Sequence, residues 1–121
     1  MTDEQVREID TMQEFLQDTF DKDPSVYVDR LRLINTYMAR TGVLLAVAKM
    51  ELNQAVECIY AKDFEMLKKL TPTQTKEYIK AKTNNEGFYV DLLDRMNANC
   101  VHQSDNLRTL LSYEKAQMQL T

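Results

Sequence analysis

Nine positions in one stretch constrain this chain more than anything else in it. Leu31, Ile34, Met38, Thr41, Leu45, Ala48, Leu52, Ala55 and Ile59 follow one another in alternating steps of three and four, and only Thr41 among them is polar. Such a spacing keeps one stripe of a long α-helix against a neighbouring helix at a shallow crossing angle. A strand is excluded, because its side chains alternate with a period of two. Leu33, Tyr37, Leu44, Val47, Val56 and Tyr60 widen the stripe. A stripe that wide calls for burial against more than one partner helix.

The rest of the composition agrees. Among 121 residues there are two Gly and two Pro, where average usage gives roughly fourteen together. Hairpins and sandwiches need turn residues at every reversal, so most β architectures are excluded, as are glycine-rich phosphate loops. The prolines mark helix starts. In Asp23-Pro24-Ser25 and Thr71-Pro72-Thr73 a capping residue precedes a proline at the first helical position, where its missing N–H costs nothing. Thr2 with Gln5 and Thr71 with Gln74 have capping-box spacing.

These signals predict an all-α domain with helices over about 3–20, 24–69 and 73–118. The two long helices form an antiparallel, bundle-like hairpin that turns near Thr71, and the short first helix docks on it through Val6, Ile9, Met12, Leu16 and Phe20. Ile79, Tyr89, Leu93, Met96, Cys100, Leu107 and Leu110 continue the seam in the last helix. Asn84, Asn85 and Gly87 interrupt it, which predicts a soft spot in a continuous helix, with a true break as the alternative. A hairpin folded about Thr71 sets Gly42 level with Cys100 and Ala55 with Gly87, so both glycines read as close-packing positions. A two-helix rod has little interior, which predicts a homodimer or higher assembly built on the flank of Leu33, Tyr37, Leu44 and Val47.

Chemistry is sparse. One histidine, His102, and two cysteines, Cys58 and Cys100, do not make a four-ligand zinc set, and no metal or other cofactor is expected. Cys100 and His102 are two apart on a helix and face away from each other, so they make no nucleophile–base pair. The two cysteines fall far apart along the hairpin, and both read as small apolar groups in a reducing compartment. Carboxylate pairs such as Asp91 with Asp94 have ordinary surface readings. No catalytic residue is assigned, and the protein is not expected to be an enzyme.

Formal net charge is −4, against bulk attraction to nucleic acid or anionic lipid. Residues 1–23 carry eight acids against Arg7 and Lys22. No apolar run approaches the ~20 residues that cross a bilayer. The acidic N-terminus is unlike a secretory signal, so a cytoplasmic protein without a membrane partner is expected. Two polar features remain. Near the hairpin tip, Lys62, Lys68, Lys69, Lys76, Lys80 and Lys82 outnumber Asp63, Glu65 and Glu77, a local surplus suited to phosphates or an acidic partner, or simply to an exposed turn. On the last helix, Arg95, Asn99, His102, Asn106, Thr109 and Tyr113 line one face, with Arg108 beside them.

That stripe has two readings. As a ligand site between subunits, Arg95 and Arg108 pair with phosphate while Asn99, His102 and Tyr113 supply hydrogen bonds or stacking. As a structural feature, it is a polar network or a mixed helix boundary that sets register within a bundle.

The segment from Leu70-Thr71-Pro72-Thr73 through His102-Gln103-Ser104-Asp105-Asn106-Leu107-Arg108-Thr109-Leu110-Leu111-Ser112-Tyr113 resembles a group of small helical proteins encoded by bacteriophages and prophages. The resemblance implies a phage setting, hence the cytoplasm of a host cell, and no chemistry. With no catalytic set in view, the expectation is a non-enzymatic, oligomeric helical binding protein. It would counter host defence by sequestering a nucleotide signal or blocking a defence protein. The alternative is a scaffold or adaptor in phage replication, recombination or particle assembly.

Overall fold

In the computed structural model, which describes residues 1–120, the chain is 88% helical and has no strand among the described residues. The helices are α1 (Asp3–Gln17), α2 (Pro24–Lys62), α3 (Phe64–Leu67), α4 (Pro72–Lys82) and α5 (Asn84–Leu120). The all-α class and the antiparallel hairpin are as the sequence predicts: α2 and α5 pack along each other in opposite directions. The starts follow the capping chemistry. Thr2 and Gln5 cap α1 reciprocally, Thr71 and Gln74 do the same for α4, and the Asp23 carboxylate accepts from the Ser25 N–H at 3.0 Å with Pro24 opening α2.

The ends differ from the sequence expectation, because tertiary contacts set them. Helix α1 stops at Gln17 rather than near 20, and the chain turns so that Phe20 packs edge-on against Tyr27, with centroids 5.9 Å apart. Helix α2 stops at Lys62 rather than near 69. Asp63 leaves the helical region at φ −107°, its N–H still bonded to the Ile59 carbonyl, while its carboxylate accepts the Tyr78 hydroxyl at 2.9 Å. The chain then makes the single turn α3, which buries Leu67.

The expected continuous last helix is interrupted at one residue, Thr83, just ahead of Asn84. Its φ and ψ are −108° and 22°, and its hydroxyl donates to the Ile79 carbonyl at 2.8 Å. Back-bonding by a buried threonine competes with the helix ladder and bends it. The ladder nevertheless bridges the junction, from the Thr83 N–H to Ile79 and from the Gly87 N–H to Thr83, each at 2.9 Å.

The early end of α2 also shifts the register. Asn97 meets Thr41 and Met38, and Ser104 lies 3.5 Å from Asn35, so the hairpin folds about a point near Lys69 and not Thr71. Neither glycine marks a close approach. A Cβ on Gly42 would meet only Asn97 Nδ2 at 3.9 Å, and one on Gly87 would meet nothing within 4 Å.

Leu44, Ile34 and Ala48 of α2 and Leu93, Met96, Cys100 and Leu107 of α5 form the core, which Ile9, Met12 and Leu16 of α1 complete. Helix α1 runs antiparallel along α2. Its Met1 ammonium lies 2.9 Å from Glu51, Glu8 pairs with Arg40, and Phe15 sits edge-on to Tyr37 at 5.1 Å. Consequently the flank expected to carry self-association is covered in part: Leu44 is fully buried and Tyr37 lies under α1, while Val47 is half-buried and Leu33 exposed. Seven-residue spacing puts Tyr37 and Leu44 on one face, and α1 is the element that covers it.

Packing is uneven along the rod. Between Lys49 and Leu92 only Leu67 and Thr83 are buried, and α4 buries nothing. Helix α1 begins level with Glu51, so the tip half of the hairpin has no third helix on it. No helix of the described residues is long and apolar enough to cross a membrane.

Candidate functional site

The polar residues fall into three groups: a buried set that holds the bundle, an exposed stripe, and a lysine-rimmed groove at the tip. In the first, Thr41 interrupts the apolar seam of α2, and its buried hydroxyl donates to the Met38 carbonyl at 3.1 Å. The Asn97 amide donates to both, at 2.8 Å to Met38 O and 3.0 Å to Thr41 Oγ1. A satisfied polar pair inside a seam fixes register, because a slip leaves both groups unpaired.

Arg30 is the other knot, only 7% exposed. Its Nη2 donates to the carbonyls of Phe15 at 3.0 Å and Asp18 at 3.3 Å and to Gln103 Oε1 at 3.0 Å. Its guanidinium lies over the rings of Phe15 and Phe20, 4.3 and 4.7 Å from their centroids. Gln103 Nε2 in turn donates to the Leu16 carbonyl at 2.9 Å. Arginine and glutamine thus satisfy the carbonyls that the end of α1 leaves open, where the helix dipole is negative. Burial pulls the guanidinium pKa down and the Asp18 charge raises it. Its Nε is buried without a hydrogen-bond partner. The chemistry is structural: this cation holds α1 down. Nothing in the stepping of apolar residues marks Arg30, Asn97 or Gln103 in advance.

The five residues assigned to a ligand from sequence are all exposed: Arg95, Asn99, His102, Arg108 and Tyr113. Asn99 accepts from Gln103 Nε2 at 3.1 Å and so touches the Arg30 cluster. The cavity of about 310 Å³ beside that cluster is lined by Leu16, Asp18, Thr19, Phe20, Arg30, Gln103, Asn106 and Leu107. Of the stripe, only Asn106 reaches it; none of the five lies in its wall. The stripe follows the outer face of α5, so one chain does not gather it into a pocket.

The groove at the tip runs between α2 and α4 with the start of α5. Two adjoining depressions of about 470 and 500 Å³ share Val56, Lys76 and Ile79. Tyr60 and Leu70 line the first; Leu52, Thr83, Gly87 and Phe88 line the second. Asn53, Val56 and Tyr60 lie across the α5-facing seam from Leu44 and Glu51, on the flank that α1 leaves open. Phe88 is 57% exposed and Tyr60 48%. Large apolar groups left this open mark interaction sites more often than isolated surface residues do.

The lysines around the tip are not equivalent. Lys68 pairs with Glu65 at 3.6 Å and lies 4.4 Å from the Phe64 centroid, and Lys82 lies 5.6 Å from that of Tyr78. Lys76 and Lys80, one turn apart on α4, border the groove and enter none of the ion pairs among the described residues. The hydrogen bond to Asp63 holds the Tyr78 phenol above its ordinary pKa. Burial pushes the Cys100 thiol up, while Cys58 is exposed. Among the described residues no three His, Cys, Asp or Glu side chains come together as metal ligands. Comparison with family models, curated proteins and solved structures finds no match to this chain.

Proposed function

We propose that the protein is a non-catalytic helical binding protein that engages another protein through the tip of its hairpin. One observation carries this reading: over the tip half, from Lys49 to Leu92, only two residues are buried, while an apolar groove with exposed Tyr60 and Phe88 lies open there. The end of the hairpin covered by α1 shows what the same two helices do with a third helix present. Sequestration of a nucleotide by Arg95, Asn99, His102, Arg108 and Tyr113 would need a second subunit to complete the site, since within one chain they do not converge. The protein-partner reading includes both blocking a host defence protein and serving as an adaptor in phage replication or assembly. The resemblance to phage-encoded proteins supports that setting.

Affinity capture from the native host background tests it, with wild type, Val56→Glu and an Arg95→Ala/Arg108→Ala double variant as baits. The expected result is a partner retained by wild type and by the arginine variant and lost with Val56→Glu. A partner lost only with the arginine variant would return the function to the polar stripe.

A further inference from the structure

Resting on that reading, we infer that the occupant of the tip groove is an amphipathic α-helix whose apolar stripe is bordered by Asp and Glu. The first argument is shape. The groove follows the helices that wall it, and Leu52, Val56 and Tyr60 stand on one wall at four-residue steps, spanning about 12 Å at 1.5 Å per residue. Ile79 and Phe88 stand on the other wall. Apolar side chains at such steps receive a helix that presents its own at i, i+3 or i+4, and i+7.

The second argument is charge. Lys76 and Lys80 line the α4 rim one turn apart, outside the ion pairs of the described residues. From the facing α2 wall the lining takes Asn53, which is neutral. Asp91 is the one acid in the lining. Carboxylates along one edge of a bound helix would meet the two free ammonium groups, while a lysine-bordered helix would meet like charge.

The third argument is an arrangement already present in the molecule. Helix α1 is itself an acidic amphipathic helix. It lays Ile9, Met12 and Leu16 against the hairpin and pairs Glu8 with Arg40 at the edge. The tip groove offers the same combination on the opposite flank, apolar floor and basic rim, with no helix of the described residues on it.

The test uses the full-length protein and two labelled synthetic peptides of about 16 residues, long enough to form helix on binding. Both carry leucines at i, i+3, i+7 and i+10, one bordered by Glu and the other by Lys. In fluorescence anisotropy the Glu peptide should bind, and weaken as salt rises. It should bind about tenfold more weakly to Lys76→Glu/Lys80→Glu, while the Lys peptide gains a similar factor on that variant. Val56→Glu and Phe88→Ala should both reduce binding, with circular dichroism confirming retained helix. Equal binding of both peptides to wild type would overturn the acidic partner and leave the docking groove standing. No binding of either peptide, with a captured partner still dependent on Val56, would overturn the helical occupant alone. Sedimentation showing a dimer that Val56→Glu dissociates would replace the foreign helix by a second copy of this chain.

Discussion

Replacing Arg30 by alanine should undock the first helix. The guanidinium makes two good hydrogen bonds at 3.0 Å, to Phe15 O and Gln103 Oε1, and a weaker one at 3.3 Å to Asp18 O. The two short charge-assisted bonds contribute about 1.5 kcal/mol each and the long one little, and the two ring contacts add about 0.5 kcal/mol each. Removing a buried cation that has no carboxylate in ion-pair contact recovers about 1 kcal/mol of desolvation. The balance is a loss of about 3 kcal/mol, or roughly 10 °C in Tm for a chain of this size. Urea denaturation followed by circular dichroism measures the total. Hydrogen exchange locates it, since amides of α1 should lose protection before those of Ile34 to Ala48. Arg30→Lys should recover about 1 kcal/mol, because an ammonium supplies charge and donors at one point without the flat guanidinium face that lies over both rings. A loss under about 1 kcal/mol for the alanine variant, or unchanged exchange in α1, would refute the clamp.

Gly42→Ala and Gly87→Ala should each stabilise the fold by about 0.5–1 kcal/mol, since a Cβ has room at both and alanine is the better helix former; a lower Tm for either would show a constraint at that position. The Glu8–Arg40 pair lowers the Glu8 pKa, so its contribution is present above the ordinary carboxylate range and is lost as pH falls through the depressed folded value. Wild type and Glu8→Gln should therefore differ in Tm at neutral pH and converge as pH falls below the ordinary carboxylate range, and a constant difference would contradict the assignment. Thiol titration should find Cys58 reacting at once and Cys100 only on unfolding, because burial both shields Cys100 and keeps it protonated. Two equally fast thiols would place Cys100 outside the core.

The sequence alone determined the all-α class and where α1, α2 and α4 begin. Capping boxes at Thr2 and Thr71 and the Asp23-Pro24 step are local devices: every group they use lies within three residues, so no distant contact is needed to read them. The alternating seam from Leu31 to Ile59 likewise called for a second long helix beside it, because a periodic apolar stripe has to be buried along a neighbour. Helix ends were decided elsewhere. Gln17 ends α1 where Arg30 and Gln103 take up its carbonyls, and Lys62 ends α2 where Asp63 meets Tyr78, contacts between residues twelve or more apart that no local pattern encodes. The same holds for the sites. The stripe from Arg95 to Tyr113 was legible as one helix face, and on a single chain that face is exposed, but whether a face is a pocket depends on what stands opposite it, which no helix pattern encodes. The tip groove was half-legible, as a lysine surplus without a floor. Its floor exists only in the folded hairpin, where α2, α4 and the start of α5 bring Val56, Ile79 and Phe88 around one hollow on the flank away from α1. Local chemistry sets where a helix starts; the neighbours it meets set where it stops and which of its faces remain open.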